Sequence, residues 1–309
     1  MSAPESASDT APVDDEAKAS PAPDARTFRV RLAYRGTQFS GWQRQTGQRT
    51  VQGVVEEALS KLIGVQTAAR GAGRTDAGVH ARAQVFSFTA STRIPTKKMA
   101  LALSSVLPED VAALSADEMP SGFDAKRHSV GKRYVYRVLM GPIRDPFRIA
   151  SMWHVKGQFD VARMQRASHH LVGENDFEAF RAASCVAQHA WRYLWKVDVN
   201  ARDDELTLEV RGNAFCQHMV RIIAGTLVDV GQRRFAPEDI SAMLRARKRS
   251  SAGQTAPAHG LTLEEVYYAD VVTHAGIPDG ARFPGFPITG DHVQQCTPFV
   301  IKEESVTGW

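Results

Sequence analysis

Cysteine is scarce in this sequence: only Cys185, Cys216 and Cys296 occur. An odd number at wide spacing argues against a disulfide framework and against a C-x-x-C zinc site. The expectation is a reduced, cytoplasmic protein. No apolar run approaches the roughly 20 residues that span a bilayer, so no membrane partner is expected. The N-terminus, MSAPESASDTAPVDDEAKASPAPDAR, has no basic start followed by an apolar stretch, which excludes a secretory signal. Its alanine, proline, serine and acidic content predicts a disordered tail over residues 1–26.

Acidic residues are also nearly missing from one long interval. Between Glu57 and Glu109 the sole acid is Asp76, against Lys61, Arg70, Arg74, Arg82, Arg93, Lys97 and Lys98. The formal net charge of +4 conceals a wider segregation. Residues 1–26 sum to −4 and residues 273–309 to −2, so the body from 27 to 272 carries +10. A body of that charge attracts a polyanion and releases its counterions on binding, although solubility alone also accounts for surface charge.

What is present reads as alternating strands and amphipathic helices. TFRVRLAYRG places Phe28, Val30, Leu32 and Tyr34 on one strand face and Arg29, Arg31, Ala33 and Arg35 on the other. Thr50 is placed to cap a helix whose apolar stripe is Val51, Val54, Val55, Ala58, Leu59 and Leu62, with Gly64 ending it. AQVFSFT is a strand, and a short helix is expected around KKMALALSSVL. SVGKRYVYRVLMG puts Lys132, Tyr134 and Tyr136 on one strand face and Arg133 and Arg137 on the other; such mixed faces suit a sheet edge or a site. A helix follows Asp160. YLWKVDV and ELTLEVRG form a hairpin about NARDD. HMVRIIAGTLVDVG is an apolar helix, another starts near Pro237, and LTLEEVYYADV is the last strand. YRGTQFSGW and VRGNAFCQH share R-G-x-x-F and both lead from a strand toward an apolar helix, a hint of two similar lobes.

The glycine-rich stretch GAGRTDAGVHARAQV, residues 71–85, fails the common glycine-loop patterns. Asp76 stands where a dinucleotide fingerprint needs its third glycine, and Val79 where a phosphate-binding loop needs lysine. The ligands of a zinc deaminase are missing, as is the second carboxylate of a glycosidase. A lone carboxylate beside Arg74, among glycines that allow close approach, suits a nucleophile or base in a tight pocket. The plainer reading of G-R-T-D is a turn-capping Asp paired with Arg74.

GRTDAGVHA resembles the catalytic motif of the tRNA pseudouridine synthase A family. YRGTQFSGWQRQ, TVQGVVEEAL, KRYVYRV, GENDFEAFR, RGNAFCQHMVRIIAGTLVDVG and TAPAHGLTLEEVYY resemble further family segments, in family order over about residues 28–268. The resemblance implies an α+β pseudouridine synthase fold, two similar lobes with antiparallel or mixed sheets joined around a basic central cleft. The lobes are expected at 27–140, carrying the Asp loop, and 141–272, followed by a C-terminal extension over 273–309. It implies isomerisation of uridine to pseudouridine at positions 38 to 40 of tRNA, usually by a homodimer, with no metal and no organic cofactor. By the same resemblance Asp76 is the essential carboxylate, Tyr134 stacks on the target uracil, and Arg74 and Arg221 are the basic residues near the site.

Taken by themselves, these residues admit plainer roles: Tyr134 as a cross-strand core aromatic, Arg221 with a partner on its own helix. Arg221 lies in an apolar stretch, and Asp76 from the other lobe is its attractive partner. The residues leave open whether Asp76 attacks the sugar, adds to the base or removes a sugar proton. His80 reads as a hydrogen-bonded structural histidine; Trp42 either packs its loop or touches RNA. His189 and Ala190 stand where the family has a proline-containing turn. A non-catalytic RNA-binding protein, or a synthase acting on another RNA, are the alternatives. Whichever holds, log affinity for RNA should fall linearly with log salt in a filter-binding titration, and a flat dependence would remove the charge argument.

Overall fold

The computed structural model describes residues 24–268. The acidic tail up to residue 23 and the extension expected over 273–309 lie outside the described residues. The architecture is α+β. β1 (Arg26–Tyr34) pairs antiparallel with β3 (His80–Ala90) and with β4 (Val111–Met119). Phe28, Val30 and Leu32 of β1 are fully buried, and Val30 faces Phe86 while Phe28 faces Phe88. The two-residue strand β2 (Arg70–Gly71) adds to β3. β4 is polar and alanine-rich, and its acids are met by β1: Arg29 pairs with Asp117 and Arg26 with Glu118.

α1 (Val51–Ile63) forms where the sequence places it. The Thr50 side chain accepts from Gly53 N, and Gly64, at φ +85°, ends the helix with its N–H on the Ser60 carbonyl. Its buried residues Val51, Val55 and Leu59 join β1 and β3 in one core. α2 (Thr96–Ser104) is shorter than the apolar run suggested and buries Met99 and Leu103.

The second half is built on β5 (Ser129–Met140), β8 (Trp191–Arg202) and β9 (Glu205–Gly212), with β7 (Gly173–Asp176) outermost and β6 (Trp153–Val155) parallel to the end of β5. The β8–β9 turn is tighter than NARDD: β8 runs to Arg202, and Asp203 takes φ +55° at the corner. Ladder pairing up to Arg202–Glu205 wins over the polar character of those residues. α3 (Val161–His169), α4 (Met219–Gly231) and α5 (Asp239–Ala246) supply the helices of this half, with Asp160 capping α3 through Arg163 N. α4 is buried over almost its whole length, as its apolar sequence requires.

One strand joins the halves. β10 (Leu261–Tyr268) runs parallel to β3 through Thr262–His80 and Leu263–Ala81, and antiparallel to β5 from Ser129 to Tyr136. The resulting order is β4-β1-β3-β10-β5-β9-β8-β7. β5 is therefore an interior strand, and its mixed faces do not mark an edge. Arg133 and Arg137 are matched from neighbouring strands, Arg133 by Glu209 and Glu265, Arg137 by Glu264 and Glu205. The opposite face of β5 carries Tyr134 and Tyr136 into the core. Because Leu263 is fully buried at this seam, Leu263→Ala should cost about 2–5 kcal/mol in a urea melt. A cost near zero would mean that β10 is not a structural seam.

Candidate active site

Asp76 sits at the start of a tight turn, with Val79 N–H donating to the Asp76 carbonyl at 3.1 Å. Gly78 holds φ +79° in that turn, the left-handed value that glycine adopts at no steric cost. The turn is held from the segment after β1. Gly78 N donates to the Phe39 carbonyl at 3.2 Å, and Trp42 N to the Thr75 carbonyl at 3.1 Å. The Tyr34 and Thr75 hydroxyls lie 2.8 Å apart. Burial pushes the Tyr34 phenol up to about 12, so it stays protonated as a hydrogen-bond partner. With its neighbours fixed, the partly exposed Asp76 side chain is left to be met from the other half of the molecule.

Arg221 comes from the first turn of α4, 145 positions further along the chain. Its Nη1 donates to Asp76 Oδ2 at 3.1 Å. The guanidinium is held on its other edge too, where Nε donates to the Ala256 carbonyl at 2.8 Å. Ala256 N in turn donates to the Arg221 carbonyl at 3.1 Å. The strap containing Ala256 lies directly on α4: a Cβ at Gly225 would fall 1.9 Å from the Gln254 carbonyl oxygen. Arg249 braces the strap, donating to the Ala252 carbonyl and the Thr255 hydroxyl. A planar fork with two fixed edges presents one remaining direction to the carboxylate.

His218 precedes α4 in the left-handed region at φ +61° and brings Nε2 to 3.6 Å from Asp76 Oδ2. That is contact beyond hydrogen-bond length. Burial holds the imidazole below its ordinary range, opposed by Asp76 and reinforced by Arg221 and Arg249. At neutral pH the standing cation on Asp76 is therefore Arg221, not His218.

Tyr134 is buried on β5, its ring edge-on to Phe215 at 5.1 Å between centroids. Burial raises its phenol far above the ordinary range, and the charge of Asp76 adds to that. It is thus a neutral aromatic within electrostatic reach of the carboxylate. Arg74 does not pair with Asp76. It is exposed, with Nε donating to Gln43 Oε1 at 3.3 Å, so the cation of the site comes from the distant α4 rather than from the neighbouring residue.

Trp42 is buried and packs on Tyr34 and Phe86, so its role is to support the loop. His80 is buried between Gly36 N, which donates to Nδ1 at 3.1 Å, and the Ala150 carbonyl at 3.2 Å from Nε2. Ala190, at the expected proline turn, is buried and accepts from Phe177 N at 3.0 Å. The sequence reading missed the approach of His218 and the Ala256 strap. The proximity of His218 to Arg221, one helical turn apart, was the available signal for the first; backbone bonds across 35 residues leave none for the second. Among the described residues no group of three or more His, Cys, Asp or Glu side chains is placed to hold a metal ion. No helix among them is long and apolar enough to cross a membrane.

Comparison with known proteins shows the family to which this chain belongs. A family model described as tRNA pseudouridine synthase matches residues 32–126 and 167–269, and the chain belongs to that family of isomerases. The tRNA pseudouridine synthase A of Myxococcus xanthus is 43% identical over 259 residues, covering 84% of this chain and 95% of the relative. That of Pelobacter propionicus is 42% identical, covering 79% and 100%. That of Moorella thermoacetica is 44% identical, covering 78% and 99%.

The clamp makes a graded prediction. Arg221→Ala should lower single-turnover rate on the order of a hundredfold, the range for removing one charge-stabilising group. Arg221→Lys keeps the charge but loses the fork and should fall between. Gly225→Ala, buried within α4 beneath the strap, should also lower the rate by displacing the strap, while a melting curve reports the accompanying loss of stability. Full rate in a destabilised Gly225→Ala protein would show that the strap does not set the arginine.

Proposed function

We propose that the protein isomerises uridine to pseudouridine at positions 38, 39 and 40 of the anticodon arm of tRNA, as a cytoplasmic homodimer without metal or organic cofactor. The observation that carries this reading is the Asp76–Arg221 pair beside the neutral ring of Tyr134. In the reaction the bond from ribose C1′ to uracil N1 breaks, the base turns, and C1′ bonds to C5. C5 loses a proton and N1 gains one, so no atom enters or leaves and no donor is required. Asp76 is the carboxylate that acts on the nucleoside. Arg221 orients it and neutralises its charge in the closed site.

The target base has to leave its stack before its glycosidic bond can be reached. Tyr134 offers the face that receives it, and stacking on an aromatic contributes about 1–3 kcal/mol per base. Arg74, exposed beside the loop, serves as a cation for the incoming RNA backbone. The two lobes act as units with the reaction between them, and their boundary falls before β5 rather than after residue 140, because β5 is laid against β9 of the second half.

Incubation with unmodified tRNA followed by pseudouridine mapping should place the product at positions 38 to 40. Product elsewhere would reassign the RNA substrate, and binding without product would favour an RNA-binding role. Asp76→Asn should nearly abolish turnover while leaving tRNA affinity within about threefold, because shape is kept and charge is lost. Turnover by this variant, free of deamidation back to Asp, would remove Asp76 from the reaction. Tyr134→Phe should retain most binding and Tyr134→Ala should lose roughly ten- to a hundredfold in affinity for the extruded base. Equal behaviour of the two would show that the ring does not hold it.

A further inference from the structure

Lys132 is a second cation beneath the Asp76 loop, and neither the mechanism above nor any ion pair among the described residues uses it. It lies on β5 two positions before Tyr134, so both side chains leave the same face of the strand. Its stem rests against the loop: a Cβ at Gly73 would lie 2.9 Å from Lys132 Cε and 3.6 Å from Nζ. Its backbone is fixed on both sides, opposite Gly212 of β9 and Val266 of β10. Among the described residues no carboxylate comes within ion-pair distance of its ammonium. The charge that acts on it is that of another cation, Lys126. Burial pulls the lysine down to about 8, so it remains mostly protonated at neutral pH, with no acid among the described residues to offset the cost.

The neighbouring cations are turned elsewhere. Arg221 is engaged by Asp76 and Ala256, and Arg74 reaches outward to Gln43. Lys132 therefore has its donors available at the floor of the site. We propose that Lys132 is a positioning residue that binds the phosphate flanking the target uridine. An ammonium is a compact charge with three donors, suited to a phosphate oxygen rather than to a neutral uracil edge. The spacing agrees. Two residues along a strand span roughly 7 Å, comparable to the ribose that separates a base from its own phosphate. With the base on Tyr134 and the sugar toward Asp76, the phosphate falls toward Lys132. This inference rests on the reading that Tyr134 receives the target base.

The test compares wild type, Lys132→Met, Lys132→Arg and Asp76→Asn on an anticodon-arm RNA, made with either a normal phosphate or an uncharged methylphosphonate flanking the target uridine. Lys132→Met should raise KM roughly tenfold or more, the range for losing a charged hydrogen bond, with kcat changed far less. The slope of log affinity against log salt should shrink by roughly 0.7–0.9, one phosphate contact. Lys132→Arg should restore most of both. The methylphosphonate should weaken wild type and Lys132→Arg but cause no further loss in Lys132→Met. An unchanged KM and salt slope in Lys132→Met would overturn the proposal, as would an equal methylphosphonate penalty in wild type and Lys132→Met. Where Lys132→Met melts too early to assay, a missing methylphosphonate penalty in wild type and Lys132→Arg overturns it equally. Affinity and salt slope are read without turnover, so an active Asp76→Asn protein would sink the catalytic reading separately from the fate of Lys132.

Discussion

The ion pair between Arg221 and Asp76 is the contact on which the site depends, because its partners belong to different halves of the molecule. The carboxylate stands on a turn set by Gly78 and held by Tyr34, Phe39 and Trp42. The guanidinium stands on α4 and is held by the Ala256 carbonyl. Each partner is oriented by its own half before they meet at 3.1 Å. Neither half contains the site. A partly buried carboxylate that would be costly to leave unpaired thus becomes a condition for the halves to be correctly joined.

β10 supplies the joint. It is the last described strand, yet it lies at the centre of the sheet, parallel to β3 and antiparallel to β5. Its partner residues are those around the site: β3 begins at His80, just after the Asp76 turn, and Leu263 faces Tyr134 on β5. The strap that grips Arg221 immediately precedes β10, and Tyr136 donates its hydroxyl hydrogen to the Pro257 carbonyl at 2.7 Å. One short length of chain therefore closes the sheet, seats the arginine and backs the tyrosine strand. Small residues make this possible, since Gly225 leaves room for the strap backbone where any side chain would collide.

The electrostatics divide by face. On one face of β5, arginines are answered by glutamates from adjacent strands, so the charge is locally balanced. Toward the site, balance is incomplete: Asp76 is answered once, His218 is neutral, Tyr134 is neutral, and Lys132 has no acid beside it. The residual positive character is local and partly desolvated, a setting in which a phosphate is held more strongly than on an open basic surface. The +10 of the body draws RNA from a distance, whereas these few groups act at contact.

Much was legible in the amino-acid sequence by itself. Alternating apolar residues marked β1, the Thr50 cap and Gly64 stop bracketed α1, and unbroken apolar character marked α4 as buried, because these depend on local periodicity and backbone freedom. The solitary acid in a basic, glycine-rich interval marked Asp76, and the ordered motifs carried the family. Local pattern misled where partners were distant. The mixed faces of β5 suggested an edge or a site; strands from both halves enclose it, which removes the edge, while its Lys132 lies against the Asp76 loop. Arg74 stood next to Asp76 in sequence, yet its side chain turns to Gln43 and the pairing falls to Arg221. The sequence leaves Trp42 open between packing its loop and touching RNA, and places Lys132 only on a strand face with Tyr134; the folded loop that lies against both decides their surroundings. Sequence periodicity fixes which face of an element a residue occupies; which charge meets which depends on the packing of elements far apart in the chain, and only the tertiary structure decides that.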